Sequence, residues 1–384
     1  MRILIVTATY SPSINGVALT LELQKKELEK RGHQITVLAP KHPNQTEEAG
    51  IIRIPSLPNP LTPDYPIILP IPTIHNLKIL AKKYDIVYFH HPLYIGDLAL
   101  NLAKYFNCPA VFFYHSRYEK TAQFYIPKLL KFLLLPLLIK GSVRILANKS
   151  SHLIVETPSI KKLLERQKIK TEITVIRSAG RSMLFNTKTK SELRKKYGLR
   201  KNDLIILCVA RLSKEKNLTS LLRIFSQLKS NITVTLVLTG DGPEKKNLKK
   251  LAQNLKIYDQ CRFLGSVENE LLPEIYSLAD IFAYPCKMDT QAIVILEAMS
   301  AGLPIIAFNS PGPKDFINNN QNGYLVNSNN GFSNKLNLLI ENENLCLKLG
   351  HEALSNSKKY SLRDSIDSLE RLFKEVISSY NIKD

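Results

Sequence analysis

Two carboxylates, Asp289 and Glu297, stand at either end of the run "MDTQAIVILEAMSAGLPIIAF" (residues 288–308), which is otherwise apolar and is cut by a Gly-Leu-Pro turn. The spacing puts Asp289 in a loop and Glu297 in the helix expected over residues 292–301, closed by Gly302. One acid is then placed for the hydroxyls of a sugar and the other for those of a ribose. The helix start between them, at Ala292, Ile293 and Val294, offers backbone N–H groups to a phosphate.

A basic pair complements them. In "ARLSKEKN" Arg211 and Lys216 follow a strand-like run and precede a helix expected to be capped by Asn217. A lysine point charge and a planar arginine fork beside a helix start suit a diphosphate, the alternative being a solvated basic loop. "TGDGPEKKNL" brackets Asp241 with Gly240 and Gly242 before a proline-initiated helix. A tight turn is the default reading there, and ligand contact the alternative. In "SPSINGV", Gly16 precedes a helix, where it either lets backbone approach a ligand or is just a turn.

These motifs need strands to stand behind. Strand-like runs occur at 2–9, 34–39, 51–54, 85–90, 109–115, 152–156 and 173–176, with helical periodicity between most of them, as over 17–30. After a basic stretch around 177–200 the rhythm restarts, with strands expected at 204–210, 233–239, 280–284, 304–307 and 324–326. Such alternation implies α/β architecture with parallel sheets covered on both faces. Two doubly wound, Rossmann-like domains are expected, 1–178 and 179–360, followed by a helical segment 361–384 that packs back towards the first. In such sheets ligands bind beyond the carboxyl ends of the strands, so facing domains would line a central cleft.

The 384 residues carry a formal charge of +20, which points to an anionic partner: nucleic acid, an acidic membrane surface or a phosphorylated small molecule. The lysines are scattered, with no zinc-ligand or RNA-binding signature and no stacking platform, so nucleic acid ranks last. Five widely spaced cysteines fit a reduced, cytosolic setting, and the N-terminus reads as a first strand and not as a signal peptide. The segment "PKLLKFLLLPLLI" (127–139) is too short and too interrupted to span a bilayer. With Lys140 and Arg144 it either lies in a membrane interface or forms an ordinary buried helix.

Taken in order, "YSPSINGVALTLELQKKELEKRGHQITVLAP", "ARLSKEKN", "TGDGP", "RFLGSV", "SLADIFAYP" and "DTQAIVILEAMSAGLPIIA" resemble the retaining, two-domain nucleotide-sugar glycosyltransferases of the GT-B fold, family four. The resemblance covers nearly the whole chain. It implies that Asp289 contacts the donor sugar, that Glu297 binds the ribose, and that Arg211 and Lys216 hold the diphosphate and stabilise its departing charge. It further implies donor contacts by Gly16, Ala292, Ile293 and Val294, and no metal or other cofactor, since the cations take that part. Two positions depart from the family pattern: Asp289 stands where glutamate is usual and Ala292 where glycine is usual, and its methyl is expected either to narrow the space for the sugar or to alter which epimer fits.

In "FFYHSRYE" the resemblance places His115 beside the transferred sugar, with Arg117 and Glu119 as candidates to orient an acceptor hydroxyl, whereas His33 in "RGHQITV" reads as structural. The run "HHPLYIGDLALNLAKYFNCPAVFFYHSRYEKTAQFYIP" resembles the branch that glycosylates lipids such as diacylglycerol. The implied activity is transfer of a hexose from UDP-glucose or UDP-galactose, with retention, to a lipid hydroxyl. The implied place is the cytoplasmic face of the cell membrane, in peripheral contact with anionic lipid. A transferase acting on a soluble or polysaccharide acceptor, and a noncatalytic nucleotide-sugar-binding protein, remain the alternatives.

Overall fold

A computed structural model describes residues 1–13, 15–59, 65–69, 83–118, 120, 124, 135–177 and 188–382. Two compact units result, one formed by Met1–Ser178 with Arg363–Asp384 and the other by Ala179–Leu362.

The first unit is built on β1 (Arg2–Val6), β2 (Gln34–Pro40), β3 (Ile51–Ile54), a small antiparallel hairpin of β4 (Ser56–Leu57) and β5 (Ile67–Ile68), β6 (Ile86–Phe89), β7 (Ala110–Tyr114), β8 (His152–Val155) and β9 (Ile173–Val175). Among the described residues seven of these form one parallel sheet in the order β3-β2-β1-β6-β7-β8-β9. The central strands "IVYF" and "AVFFY" are buried along their whole length, as parallel strands covered on both faces must be. The helix Gly16–Lys30 starts where Asn15 Oδ1 accepts the Ala18 N–H at 3.0 Å.

The helix Leu362–Asn381 belongs to this first unit although it ends the chain. It buries Ile366, Leu369, Leu372 and Phe373, with the Phe373 ring edge-on to Tyr88 at 5.0 Å. Arg31 clamps it through Asp367 at 2.6 Å and Glu370 at 3.0 Å. Lys374 and Arg31 hold the Glu370 carboxyl down at about 2.

The second unit carries β10 (Leu204–Val209), β11 (Val234–Thr239), β12 (Cys261–Gly265), β13 (Ile281–Tyr284), β14 (Ile305–Phe308) and β15 (Gly323–Val326). Its parallel sheet runs β12-β11-β10-β13-β14-β15 among the described residues. Edge strand β12 is absent from the sequence-based list. Its four residues after Cys261 are exposed or only half-buried, so it lacks the apolar run that marks its neighbours.

Most strands of the first unit stop short of the expected carboxyl end. Residues 7–9, 90, 115 and 156 leave the sheet. Thr7, Thr9, His90, His115 and Glu156 are buried polar residues that hydrogen-bond to one another's side chains or to nearby backbone. Strand order reverses between β1 and β6 in the first sheet and between β10 and β13 in the second. Those reversals are where open α/β sheets leave a crevice for ligand.

Candidate active site

In the second unit, the loops leaving β10 and β13 bring Lys216 and Asp289 together from 73 residues apart. Lys216 Nζ lies 2.7 Å and 2.8 Å from the two carboxylate oxygens of Asp289. Tyr284, the last residue of β13, donates its hydroxyl to the same carboxylate. The Asn217 amide donates to the Pro285 carbonyl at 3.0 Å, and the Cys286 thiol approaches the Glu215 carbonyl at 3.4 Å. Those two contacts tie the loops to each other next to the ion pair. Burial works against the Lys216 charge, but Asp289 outweighs it and raises the pKa, so Lys216 is a firm cation.

Lys216 sits in a short 3-10 turn, Lys214–Lys216, and Arg211 lies half-buried between it and β10. Asn217 corrects an expectation. It adopts φ 58°, ψ 30° and makes no side-chain cap to the helix Leu218–Phe225: its Oδ1 accepts the Ser220 hydroxyl at 2.7 Å and not a backbone N–H. The helix after "TGDGP" likewise begins at Lys245, with Pro243 outside it.

Two neighbouring loops buttress the pair. Gly240, at φ +128°, lies so close to the loop of Arg211 that a Cβ would stand 2.1 Å from the Ala210 carbonyl oxygen. The Leu212 N–H then bonds the Asp241 carbonyl at 2.9 Å. Asp241 itself is exposed and faces Lys245 at 2.6 Å. From the other side Gly312, at φ +90°, presses on the loop of Asp289, where a Cβ would meet the Asp289 carbonyl oxygen at 2.8 Å.

The helix between the two acids runs Ile293–Ser300, and Ala292 precedes it at φ 61°, ψ 62°. Left-handed backbone is what a glycine would supply here at no steric cost. The Ala292 methyl is 6% exposed and packs in the apolar cluster with Ile295, Leu296 and Phe282. Ile293 and Val294 are half-buried in the first turn. Glu297 is 3% exposed and accepts the Tyr276 hydroxyl at 2.7 Å. A buried carboxylate with that partner is fixed in one orientation.

The first unit's rim has a different make-up. His115 follows β7, 6% exposed, with Nδ1 3.1 Å from Glu156 Oε1 and Nε2 2.7 Å from His90 Nδ1. Glu156 accepts the Nδ1–H, so this carboxylate fixes the His115 tautomer. His90 stacks on His115 with centroids 5.0 Å apart and is fully buried, and its Nε2 has no partner among the described residues. Burial and the neighbouring imidazoles keep His90 neutral by pushing its pKa well down. Arg117 is half-buried two residues beyond His115, and Glu119 lies outside the described residues. Gly16 begins the helix that Asn15 caps. His33 lies at the other end of the strands, beside the N-terminal amine at 3.1 Å and Glu370 at 3.5 Å.

Sequence reasoning missed His90, His91, Glu156, Tyr276, Tyr284 and Gly312. For His90 and Glu156 the signal was present: each is a polar residue closing an otherwise apolar strand run. Tyr276 and Tyr284 read as core aromatics, and Gly312 as an ordinary turn, because nothing in their local pattern tells which loop they will meet.

Residues 14–179 match the family described as Glycosyltransferase Family 4, and residues 189–355 match Glycosyl transferases group 1. The chain is 32% identical over 335 residues to an alpha-monoglucosyldiacylglycerol synthase of Streptococcus pneumoniae, covering 85% of this chain and 75% of that protein. It is 28% identical over 397 aligned positions to the alpha-monoglucosyldiacylglycerol synthase of Acholeplasma laidlawii, covering 100% and 99%. The Anabaena HepE protein, solved in complex with UDP and glucose, superposes with a TM-score of 0.75 at 18% identity over 98% of this chain and 100% of that one. This last likeness is one of fold. No helix among the described residues is long and apolar enough to cross a membrane.

Proposed function

The chain belongs to the family 4, group 1 glycosyltransferases of the GT-B fold, and on that premise we propose that it moves a hexose from UDP-glucose or UDP-galactose to the hydroxyl of a membrane lipid such as diacylglycerol, with retention of configuration. The observation that carries the reading is the Lys216–Asp289 pair at the strand-order reversal of the second sheet. Diphosphate oxygens would compete with Asp289 for the ammonium and free that carboxylate for a sugar hydroxyl. Arg211 adds planar donors, and the N–H groups of Ala292, Ile293 and Val294 add partial positive charge. Fixed cations at a breaking glycosyl–phosphate bond stabilise the charge that develops there, so the proposal assigns no metal. Glu297 takes the ribose. The departing phosphate draws the acceptor's proton on the same face, which retains configuration.

For the acceptor, support comes from the relatives' names and from the helix Leu135–Lys149. It leaves Leu137 and Leu138 62% exposed and Ile145 55% exposed, beside exposed Lys140, Arg144 and Lys149. Apolar side chains flanked by cations suit the headgroup boundary of an anionic bilayer. Leu133 and Leu134, the centre of the leucine-rich segment, lie outside the described residues. Peripheral docking on the cytoplasmic face, with Arg117 and Glu119 orienting the lipid hydroxyl, completes the proposal. Incubation with radiolabelled UDP-glucose or UDP-galactose and anionic vesicles containing diacylglycerol tests it: label in the lipid phase is expected. No labelled lipid with either donor removes the lipid acceptor, and activity on a soluble sugar alone replaces it.

A further inference from the structure

We infer that His91 is a further substrate-contacting residue, whose Nε2–H is held at the rim of the first unit as a neutral hydrogen-bond donor to a ligand oxygen, either a hydroxyl or a phosphoryl oxygen. The inference rests on the transferase reading for the identity of the ligands.

His91 stands two residues past β6, next to the loop that leaves β1, at the reversal of strand order in the first sheet. The Ala8 backbone N–H, from that loop, lies 3.1 Å from His91 Nδ1. A backbone N–H can only donate, so Nδ1 must be the bare, accepting nitrogen of the ring. Thr7 Oγ1 also approaches Nδ1 at 3.4 Å, but its proton is directed to the Thr9 carbonyl at 2.8 Å. The neutral imidazole therefore carries its one proton on Nε2. The loop that sets this tautomer is itself fixed: the Asn15 amide donates to Thr9 Oγ1 at 2.8 Å, and Asn15 Oδ1 caps the helix Gly16–Lys30.

The ring is 6% exposed, and no described residue accepts from Nε2. Tyr65 approaches only edge-on, with ring centroids 5.7 Å apart. Burial and the neighbouring His115 push the His91 pKa down to about 3, so at neutral pH the ring donates without carrying charge. Unlike the orphaned Nε2 of His90, the Nε2 of His91 is not sealed from solvent, so a ligand oxygen can take the place of water on its N–H. Its place in the fold supplies that oxygen, from an oxygen-rich ligand in the crevice that such reversals leave.

The first arm of the test needs no turnover. Ring 15N NMR of the full chain labelled at histidine should show His91 protonated at Nε2 and bare at Nδ1; a proton on Nδ1 overturns the inference. Adding UDP-glucose or anionic vesicles containing diacylglycerol to that sample separates the two sources of oxygen. A shift of the His91 Nε2–H with UDP-glucose alone assigns it to the donor, with vesicles alone to the acceptor, and no shift with either overturns the proposal. The second arm uses geometry. The glutamine amide nitrogen reaches the Nε2 position, whereas the asparagine one reaches only Nδ1. His91→Gln should retain turnover within about threefold, while His91→Asn and His91→Ala lose roughly ten- to hundredfold. The loss should fall on the KM or kcat of the substrate that shifted the resonance. Equal losses in all three folded variants, or none in any, contradict the inference.

Discussion

Two rims built on the same topology carry opposite chemistry. Both sheets reverse strand order at their centre, and in both the loops leaving the strands beside that reversal hold a polar cluster. In the second unit the cluster is a charged pair, Lys216 and Asp289, each with 21% side-chain exposure. In the first it is a row of imidazoles, His90, His91 and His115, none more than 6% exposed, with Glu156 behind them. Full charges near water can be traded from a protein partner to a ligand. The buried rings of His90 and His91 are held neutral and offer single hydrogen bonds. On the proposed reading, the difference suits one rim to exchanging charge and the other to placing hydroxyls.

The sharpest way to break this contrast is Lys216→Ala. Removing one fixed donor from a site of developing charge costs about 10²–10³ in rate, and turnover with the donor sugar should fall by that much. Lys216→Arg should recover only part of it, because the longer planar guanidinium pairs bidentately with Asp289 and moves the charge away from the position of the ammonium. Initial rates with saturating acceptor measure it. A drop of less than about tenfold would mean that the second rim does not work through charge.

Glu156→Gln tests the other rim. The change preserves volume but lets the amide offer a donor where a carboxylate accepted from His115 at 3.1 Å. The lost charge-assisted hydrogen bond is worth ~1.5–3 kcal/mol, so kcat should fall roughly ten- to hundredfold with donor KM nearly unchanged. Glu156 acts here as a positioning residue, and Glu156→Asp should restore part of the rate. If the donor KM rises as much as kcat falls, the first rim holds the donor's charge as well and the contrast fails.

How much of this was legible differs between the rims for the same physical reason. Arg211, Lys216, Asp289 and Glu297 stand out because charged residues directly after apolar runs are rare in core and common at ligands. The two-sheet architecture was legible too, since continuous apolar strands alternating with helices leave few other packings. His90 and Glu156 were hidden as the last residues of strands, where a single polar side chain reads as the strand's end. Only the sheet's lateral order brings them to His115, and pairing across 25 and 41 residues cannot be read from local pattern. The helix expected over 292–301 begins one residue later, with Ala292 just before it in left-handed backbone that an alanine does not announce.

A third prediction asks whether lipid contact belongs to the first unit alone. The double change Leu138→Glu and Ile145→Glu puts two charges on the exposed stripe of the helix Leu135–Lys149, distant in sequence from every strand end discussed. Each apolar side chain contributes ~1.5–3 kcal/mol when buried, so cosedimentation with anionic vesicles should weaken by about tenfold. UDP binding, followed by calorimetry, should not move. Unchanged vesicle binding would take the membrane away from this helix.

The smallest effect concerns the backbone of the second rim, and its size is what matters. An ordinary helical alanine replaced by glycine destabilises by ~1 kcal/mol. Ala292 is at φ 61°, where an L-residue carries strain of about 1–2 kcal/mol that glycine lacks. Against that relief stand the extra freedom of the unfolded glycine, ~0.4–1 kcal/mol, and one lost buried methyl, about 0.8 kcal/mol. The terms cancel to within about 0.8 kcal/mol either way, so Ala292→Gly should move the melting temperature by no more than about 2 °C in either direction. Differential scanning calorimetry decides: a fall of about 3 °C or more would mean that the residue is helical and that the phosphate-facing turn is built differently. A smaller change would show that this chain tolerates alanine at a left-handed position because burial of its methyl in the apolar cluster of the second unit offsets the strain.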